Sequence, residues 1–153
     1  MSSRKITDCH PTLQPLVQQF LHNCTASGVD VLITCTWRSP EEQESLYAQG
    51  RTKPGKIVTN ARAGQSAHNY TLNGLPAALA IDVVPMRNGK PVWGLSGDGM
   101  DDNPADDDRD DLELWQKVRS AGESAGLESA SRWKSFREWP HFQHPRYQEL
   151  KAT

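Results

Sequence analysis

Three side chains that can hold a metal ion stand at well-separated places in this 153-residue chain. His68 lies in a polar segment, Asp82 interrupts the apolar run 77–84, and His141 comes near the other end. An ionised carboxylate among apolar neighbours is costly unless a cation or strong hydrogen-bond donors meet it. Two imidazoles and one carboxylate would make a zinc site with an open position, and Glu138, three residues before His141, would be its base.

The same side chains also have plainer structural interpretations. Each histidine taken alone could be a turn residue or a ring packed beside aromatic neighbours. Asp82 could form a salt bridge with Arg38, and Arg38 could instead pair with Glu41 or Glu42. Because Arg38 follows a predicted strand, its guanidinium could also hold a carboxylate in two-pronged fashion. The other histidines are interpreted as structural or exposed: His10, His22 and His144.

Helices and strands must bring these positions together, and the apolar pattern of the first half predicts where they lie. Helical spacing over 13–24 predicts a helix with Thr12 as its cap and Gly28 as its stop. Alternation over 29–37 predicts a strand. Ser39-Pro40, followed by two acidic residues, predicts the start of a second helix, which should end near Gly50.

The second half begins with a basic segment, 51–65, that is punctuated by glycine and proline and is predicted to be a loop. The run 77–84 predicts a central strand ended by Pro85, and Asn88-Gly89 predicts a hairpin to 90–93. The acidic segment 94–111 is interpreted as a surface excursion. Within it, the stretch 98–111 is either a solvated acidic loop or a Ca²⁺ site, although it lacks the spacing of an EF-hand.

The apolar pattern of the last part of the chain predicts a long helix that begins at Leu112 and ends around Gly126-Leu127. It also predicts a short strand at 141–143 and a terminal tail over 145–151. Together the elements indicate an α+β fold in which helices pack on a small, largely antiparallel sheet. We expect a single domain over residues 1–153, with a core of about residues 10–145.

Composition narrows the class of protein. The formal net charge of −2 favours neither nucleic acid nor an anionic membrane surface as a partner. Three cysteines without a CxxC pair indicate buried free thiols and synthesis in a reducing compartment. The N-terminal segment lacks the apolar core of a signal peptide and no apolar run reaches membrane-spanning length, so we expect cytoplasmic synthesis and no membrane insertion.

Three short motifs carry a family resemblance. Ser66-Ala67-His68, then Ala80-Ile81-Asp82, then Glu138-x-x-His141 resemble the signature of zinc peptidoglycan peptidases of the D-Ala-D-Ala carboxypeptidase (VanY-like) and LAS group. Within that group the chain is most similar to phage endolysins that are L-alanyl-D-glutamate peptidases. With supporting stretches, the resemblance covers roughly residues 30–145.

The resemblance implies roles for particular residues. His68, Asp82 and His141 would hold one catalytic Zn²⁺, and Glu138 would be the catalytic base. Further side chains match positions that such enzymes use to bind substrate or polarise the site: Arg38, Ser66 and Gln43. The implied fold, a small antiparallel sheet flanked by helices, agrees with the pattern of the chain.

The implied function is hydrolysis of the L-Ala–D-Glu bond of peptidoglycan stem peptides for host cell lysis. Such an enzyme would be a monomer made in the host cytoplasm, and it would reach the wall through a separate pore-former. A D-Ala-D-Ala carboxypeptidase or dipeptidase on the same scaffold is the alternative enzyme. A non-catalytic, wall-binding zinc module is the alternative from another class.

The chain departs from the family pattern between its first two motifs. Asp82 comes fourteen residues after His68, which is further than the compact family spacing. The stretch 71–77 therefore looks like an inserted loop, and Gly74 and Pro76 favour a loop that projects outward. Metal ligands need closeness in space and not in sequence, so the insertion is compatible with a metal site.

Overall fold

The computed structural model describes residues 2–93, 107–133 and 139–151. Glu138 and most of the acidic stretch 98–111 lie outside these ranges, so the predicted base and the predicted Ca²⁺ site have no structural description. Four helices are described, namely α1 (Gln14–Ala26), α2 (Pro40–Ala48), α3 (Asp107–Ser124) and α4 (Tyr147–Lys151). The described strands are β1 (Asp30–Cys35), β2 (Thr71–Leu72), β3 (Leu75–Pro76), β4 (Ala80–Arg87), β5 (Lys90–Pro91), β6 (Glu128–Ser129) and β7 (His141–Gln143).

Over the described residues, one five-stranded sheet has the order β1-β4-β7-β6, and β5 adds to the far end of β4. Every neighbouring pair in this sheet is antiparallel. The strands β2 and β3 form a separate small hairpin. The predicted α+β fold with an antiparallel sheet and flanking helices is therefore confirmed.

The sheet has one apolar face, which α1 and α3 cover. Side chains alternate along β4, so that Ile81 and Val83 enter the core while Asp82 points to the opposite face. Phe142 of β7 follows Ile81 into the core and packs against Phe20 of α1, with ring centroids 5.2 Å apart. Burying a side chain of this size contributes roughly 1.5–3 kcal/mol. Asp82 and its cross-strand partner His141 lie on the opposite face.

The helix α2 begins where the local signals predict. Ser39 caps it, because its hydroxyl accepts a hydrogen bond from the backbone N–H of Glu42 at 3.2 Å, and Pro40 occupies the first turn. The helix stops at Ala48, close to the predicted end at Gly50. This cap anchors Arg38, which immediately precedes it, at the border of the polar face.

The predicted hairpin at Asn88-Gly89 is present. Both residues have positive φ, 54° and 76°, as the tight turn requires, and β5 pairs back with Met86 and Arg87. The inserted stretch 71–77 also forms a hairpin, β2–β3, rather than an irregular loop. Its base is closed by the backbone hydrogen bond from Ala77 N–H to the Tyr70 carbonyl, at 3.0 Å.

Two predicted boundaries are wrong. Thr12 does not cap α1, which starts at Gln14 after Leu13, because the Thr12 N–H and hydroxyl bond to His10 Nδ1 instead. Pro85 does not end β4, which continues to Arg87. Proline is tolerated there because it removes only one donor, while its carbonyl still accepts from Val92 N–H at 2.9 Å.

The predicted extents of two helical regions also differ from the structure. The terminal tail over 145–151 contains α4, because Tyr147 and Leu150 pack on the small apolar cluster that includes Leu79. The helix α3 starts at Asp107, so the end of the predicted acidic excursion is helical. Asp111 is buried there and bonds the Arg87 guanidinium at 2.8 Å. None of the described helices is long and apolar enough to cross a membrane.

Candidate metal centre

The structure brings His68, Asp82 and His141 together on the polar face of the sheet. Asp82 and His141 are direct cross-strand partners on β4 and β7, and His68 lies in a 3₁₀ turn over Ala67–Asn69. His68 Nε2 and His141 Nδ1 each lie 3.2 Å from Asp82 Oδ1. One nitrogen of each imidazole thus faces the same carboxylate oxygen.

The backbone of the chain orients His68. Its Nδ1 donates to the Thr36 carbonyl at 2.7 Å, and the ring is almost fully buried. Ser66 caps the start of the turn, because its hydroxyl accepts a hydrogen bond from His68 N–H at 3.1 Å. In return, the Asn69 side-chain oxygen accepts from the backbone N–H of Ser66. Ser66 therefore positions His68 while also lining the cleft.

A side chain orients His141. Its Nε2 donates to Gln143 Oε1 at 2.9 Å, which leaves Nδ1 turned towards Asp82. Both histidines are thus arranged as metal-ligating histidines usually are, with one nitrogen towards the ion and the other N–H held by an acceptor. Two imidazole nitrogens and a carboxylate with an open fourth position fit a catalytic zinc ion in donor type and number.

Cys35 is a neighbour that the sequence pattern did not single out beyond predicting a buried thiol. It is the cross-strand partner of Asp82, and atoms of Cys35, His68 and Asp82 that could bind a metal lie within 4.8 Å of one another. The Cys35 sulfur lies 3.7 Å from His68 Nδ1, and this nitrogen is already hydrogen-bonded to the Thr36 carbonyl. Asp82 Oδ1 instead lies on the Nε2 side of the His68 ring, where it also contacts His141 Nδ1.

Arg38 contacts Asp82 as well. Its Nη2 lies 3.4 Å from Asp82 Oδ2 and 3.6 Å from the Cys35 sulfur, while Nη1 donates to Gln43 Oε1 at 3.0 Å. The salt bridge considered as an alternative to the metal site is thus present together with the histidine contacts. The salt bridge uses Asp82 Oδ2, whereas both histidines contact Oδ1.

Gln43 lies behind Arg38 and not at the surface of the cleft. Its side chain is fully buried, and besides Arg38 it bonds the Ala61 carbonyl at 2.7 Å. Gln43 is therefore not among the residues that line the cleft, and it contacts the site through Arg38. Its amide joins α2 to the 51–65 loop, which is irregular as predicted, and holds the guanidinium in place.

Burial and charge oppose each other at the centre. Burial alone would raise the pKa of Asp82. The His68 and His141 rings together have a larger effect in the opposite direction, so the net pKa lies well below the usual value. Burial lowers the pKa of His68, but the Asp82 carboxylate outweighs it and raises that pKa to about 10. Metal binding at His68 Nε2 would therefore compete with a proton on that nitrogen.

A cleft with a volume of about 810 Å³ opens over these side chains. One wall is the sheet face with the 3₁₀ turn, and the other comes from the 51–65 loop and the start of α4. Two cleft residues, Glu128 and Trp133, were not assigned a role from the sequence. Glu128 reaches the site because β6 pairs with β7, and Trp133 lies beside it because its Nε1 donates to Glu128 Oε2 at 3.1 Å.

The fold is similar to the solved structures of two enzymes. The L-Ala D-Glu endopeptidase ChiX of Serratia marcescens matches with a TM-score of 0.62 and 18% identity, covering 97% of this chain and 92% of that one. The LD-carboxypeptidase LdcB matches with a TM-score of 0.53 and 12% identity, covering 94% of this chain and 64% of that one. At these identities the likeness shows the fold alone.

The amino-acid sequence is also similar to that of known proteins. The chain is 35% identical over 138 residues to the peptidoglycan L-alanyl-D-glutamate endopeptidase CwlK of Bacillus subtilis (strain 168), covering 90% of this chain and 74% of the relative. The family model described as VanY, D-alanyl-D-alanine carboxypeptidase, matches residues 7–102, which include His68 and Asp82. With this fold and these matches, the chain belongs to the VanY family.

Proposed function

We propose that the protein is a zinc-dependent endopeptidase that hydrolyses the L-Ala–D-Glu bond of peptidoglycan stem peptides. The observation that carries this proposal is the convergence of His68 Nε2 and His141 Nδ1 on Asp82 Oδ1 at the floor of an open cleft. The choice of bond is supported by the 35% identity to a relative named for that activity.

In this proposal His68, Asp82 and His141 hold the ion. Zinc, when bound, supplies a Lewis acid that polarises a carbonyl group and lowers the pKa of water. Asp82 can serve as a ligand through Oδ1 because Arg38 holds the other oxygen and so fixes the carboxylate plane. The two N–H groups held by Thr36 and Gln143 keep both rings turned to the centre.

Arg38 has a second role in the proposal. A guanidinium has five N–H donors, and only part of this set is used on Gln43, Asp82 and Cys35. The Arg38 side chain lines the cleft and is 14% exposed, so it can bind a carboxylate of the substrate. The stem peptide offers such a group on D-Glu, next to the bond to be cut.

Glu138 is proposed as the general base, from its place three residues before His141 in the motif. A carboxylate there would take a proton from the attacking water and later deliver it to the leaving amine. Because β7 starts at His141, only Trp139 and Pro140 separate Glu138 in sequence from the strand that carries this proposed ligand.

A second enzyme activity is favoured by a different observation. The matching family model is described as D-alanyl-D-alanine carboxypeptidase, so release of terminal D-Ala from the same cleft is the runner-up. A non-catalytic zinc module that binds the wall is the remaining candidate.

Digestion of purified peptidoglycan, with and without a chelator, separates the three candidates by mass spectrometry of the products. Peptides that begin at D-Glu, with L-Ala left on the glycan and release blocked by the chelator, would support the proposal. Free D-Ala alone would replace it with the carboxypeptidase. An intact wall in the presence of zinc-loaded protein would favour the binding module. Repeating the digestion with added Ca²⁺ tests whether a Ca²⁺ site in the acidic stretch 98–111 affects hydrolysis.

The biological setting is part of the proposal and is supported by the motif resemblance. We propose a bacteriophage endolysin that acts as a monomer and reaches the wall from the host cytoplasm through a separate pore-former. Expression in a bacterium with and without a pore-former tests this. Lysis that requires both proteins would support it, and lysis by the protein alone would contradict it.

A further inference from the structure

A row of polar side chains continues from His141 towards the edge of the sheet. Gln143 is two residues further along β7 and therefore on the same face, and Glu128 of β6 is its cross-strand partner. His141 Nε2 bonds Gln143 Oε1 at 2.9 Å, and Gln143 Nε2 donates to Glu128 Oε2 at 3.4 Å. The same Glu128 oxygen accepts from Trp133 Nε1 at 3.1 Å.

The direction of these bonds follows from the chemistry of Glu128. An amide can present either its oxygen or its NH₂ group to a neighbour, whereas an ionised carboxylate can only accept. Glu128 therefore draws the NH₂ group of Gln143 to itself, which turns Gln143 Oε1 towards His141. An oxygen in that position requires a proton on His141 Nε2 and so leaves the Nδ1 lone pair for the metal centre.

The two candidate histidine ligands are thus oriented in different ways. A backbone carbonyl, that of Thr36, holds His68 and does not depend on any side chain. The orientation of His141 depends on the side-chain amide of Gln143, which could rotate by 180°. The carboxylate of Glu128 on the neighbouring strand holds that amide in place. Gln143 and His141 are 9% and 8% exposed, so little water competes for these bonds.

We propose that Glu128 and Gln143 are positioning residues that fix the tautomer and ring orientation of His141 and thereby raise the affinity for the metal ion. The inference rests on the metal site of the proposed function, and it is independent of which bond is cut. Removing Glu128 frees the Gln143 amide to turn, and an NH₂ group would then face the N–H of His141. The ring would have to move or exchange tautomers, and either change takes Nδ1 away from the centre.

The test measures zinc affinity by competition with a chromophoric chelator, without peptidoglycan. Glu128→Met removes the orienting carboxylate, and Gln143→Met removes the acceptor for His141. Each should weaken zinc binding by roughly 10- to 100-fold, as expected for lost outer-shell partners. Glu149→Gln is the matched control, because Glu149 pairs with Arg146 on the exposed surface, and it should bind zinc like the parent protein.

A double variant separates positioning from mere structural support. In E128M/Q143E a carboxylate at position 143 accepts directly from His141 and needs no partner to orient it, so zinc affinity should return to the parent level. The Co²⁺-substituted protein should show altered d–d bands in E128M and parent-like bands in E128M/Q143E. Thermal melts in chelator identify any variant that does not fold, and Gln143→Met then replaces Glu128→Met as the single variant.

Two results would overturn the inference. One is parent-like zinc affinity in the folded Glu128→Met and Gln143→Met variants. The other is a double variant that binds zinc no better than Glu128→Met. If zinc affinity changes as expected but no variant and no parent protein cuts peptidoglycan, the positioning role stands and the proposed peptidase activity fails.

Discussion

Asp82 divides its two carboxylate oxygens between different partners. Oδ1 faces both histidines, and Oδ2 faces the Arg38 guanidinium. A metal ligand and a salt-bridge partner therefore do not exclude each other at this residue. The Arg38 contact fixes the direction of the carboxylate, and this keeps Oδ1 available at the centre.

Glu138→Ala should separate metal binding from hydrolysis. None of the three candidate ligands is changed, so zinc content should stay at the parent level, while loss of a general base should lower the hydrolysis rate by roughly 10²- to 10⁴-fold. Metal analysis and peptidoglycan digestion are the measurements. Glu113→Ala, at an exposed position of α3, is the control. Retained hydrolysis in Glu138→Ala would refute the role of Glu138.

Thr36 carries a buried hydroxyl that has no hydrogen-bond partner among the described residues, although its carbonyl holds His68. A buried unsatisfied polar group costs roughly 1–3 kcal/mol. Thr36→Val removes this group at similar size, so the free energy of unfolding should stay equal or rise by about 1 kcal/mol. Urea unfolding measures this, with Thr36→Ser as the control that keeps the hydroxyl. A clear loss of stability in Thr36→Val would show that the hydroxyl is satisfied.

Gly122 of α3 lies against the Phe142 ring of β7. Glycine inside a helix is less favourable than alanine by about 1 kcal/mol, so its presence here needs a reason. A Cβ at this position would lie 2.7 Å from Phe142 Cδ1, which is too close for a carbon–carbon contact. The absent side chain leaves room for the Phe142 ring beside the helix.

Gly122→Ala should therefore destabilise the protein despite the better helix propensity of alanine. Overpacking against Phe142 is expected to lower the free energy of unfolding by about 1–3 kcal/mol. Urea unfolding is the measurement, and Ser120→Ala, exposed on the same helix, should show little change. An increase in stability for Gly122→Ala would mean that Phe142 relaxes without cost.

Two histidines from distant parts of the chain, His10 and His144, bond successive residues just before β4. His10 N–H bonds the Ala78 carbonyl at 2.8 Å, and His144 N–H bonds the Leu79 carbonyl at 2.9 Å. Each ring uses Nδ1 as an acceptor, from the Thr12 N–H in one case and the Arg146 N–H in the other. Both rings are thus built into the fold as neutral imidazoles.

Acidification should weaken the contacts of these two histidines. Burial lowers the pKa of His144, with the charges of His10 and Arg146 adding to the effect, and burial lowers the pKa of His10. As the pH falls below about 6.5, the unfolded chain binds protons first, so the free energy of unfolding falls until the folded rings also titrate. The contribution is present above this window and is lost through it.

His144→Asn isolates the contribution of one ring, because asparagine offers an acceptor near the position of Nδ1 and does not titrate. Urea unfolding in chelator at about pH 7.5 and about pH 5.5 should show that the parent protein loses more stability than His144→Asn. Equal losses in the two proteins would contradict the assignment of His144 as a neutral buried ring.

Local signals predicted the elements that depend on neighbours in sequence. The Ser39 cap, the Asn88-Gly89 turn and the strand at residues 141–143 are found where the pattern places them. Two features depend on partners far along the chain, namely the continuation of β4 past Pro85 and the formation of the helix α4. No local pattern could predict them, because pairing with β5 and packing on Leu79 exist only in the folded protein.

The sequence by itself determined which donor types are available for the proposed metal site, because His68, Asp82 and His141 stand in recognisable motifs, and the alternation of β4 turns Asp82 away from the core. The tertiary structure alone decided how these donors are aimed. Which nitrogen of each ring faces Asp82 depends on the Thr36 carbonyl for His68 and on Gln143 with Glu128 for His141. A tautomer is selected by the partner of the opposite nitrogen, and strand register brings that partner from elsewhere in the chain.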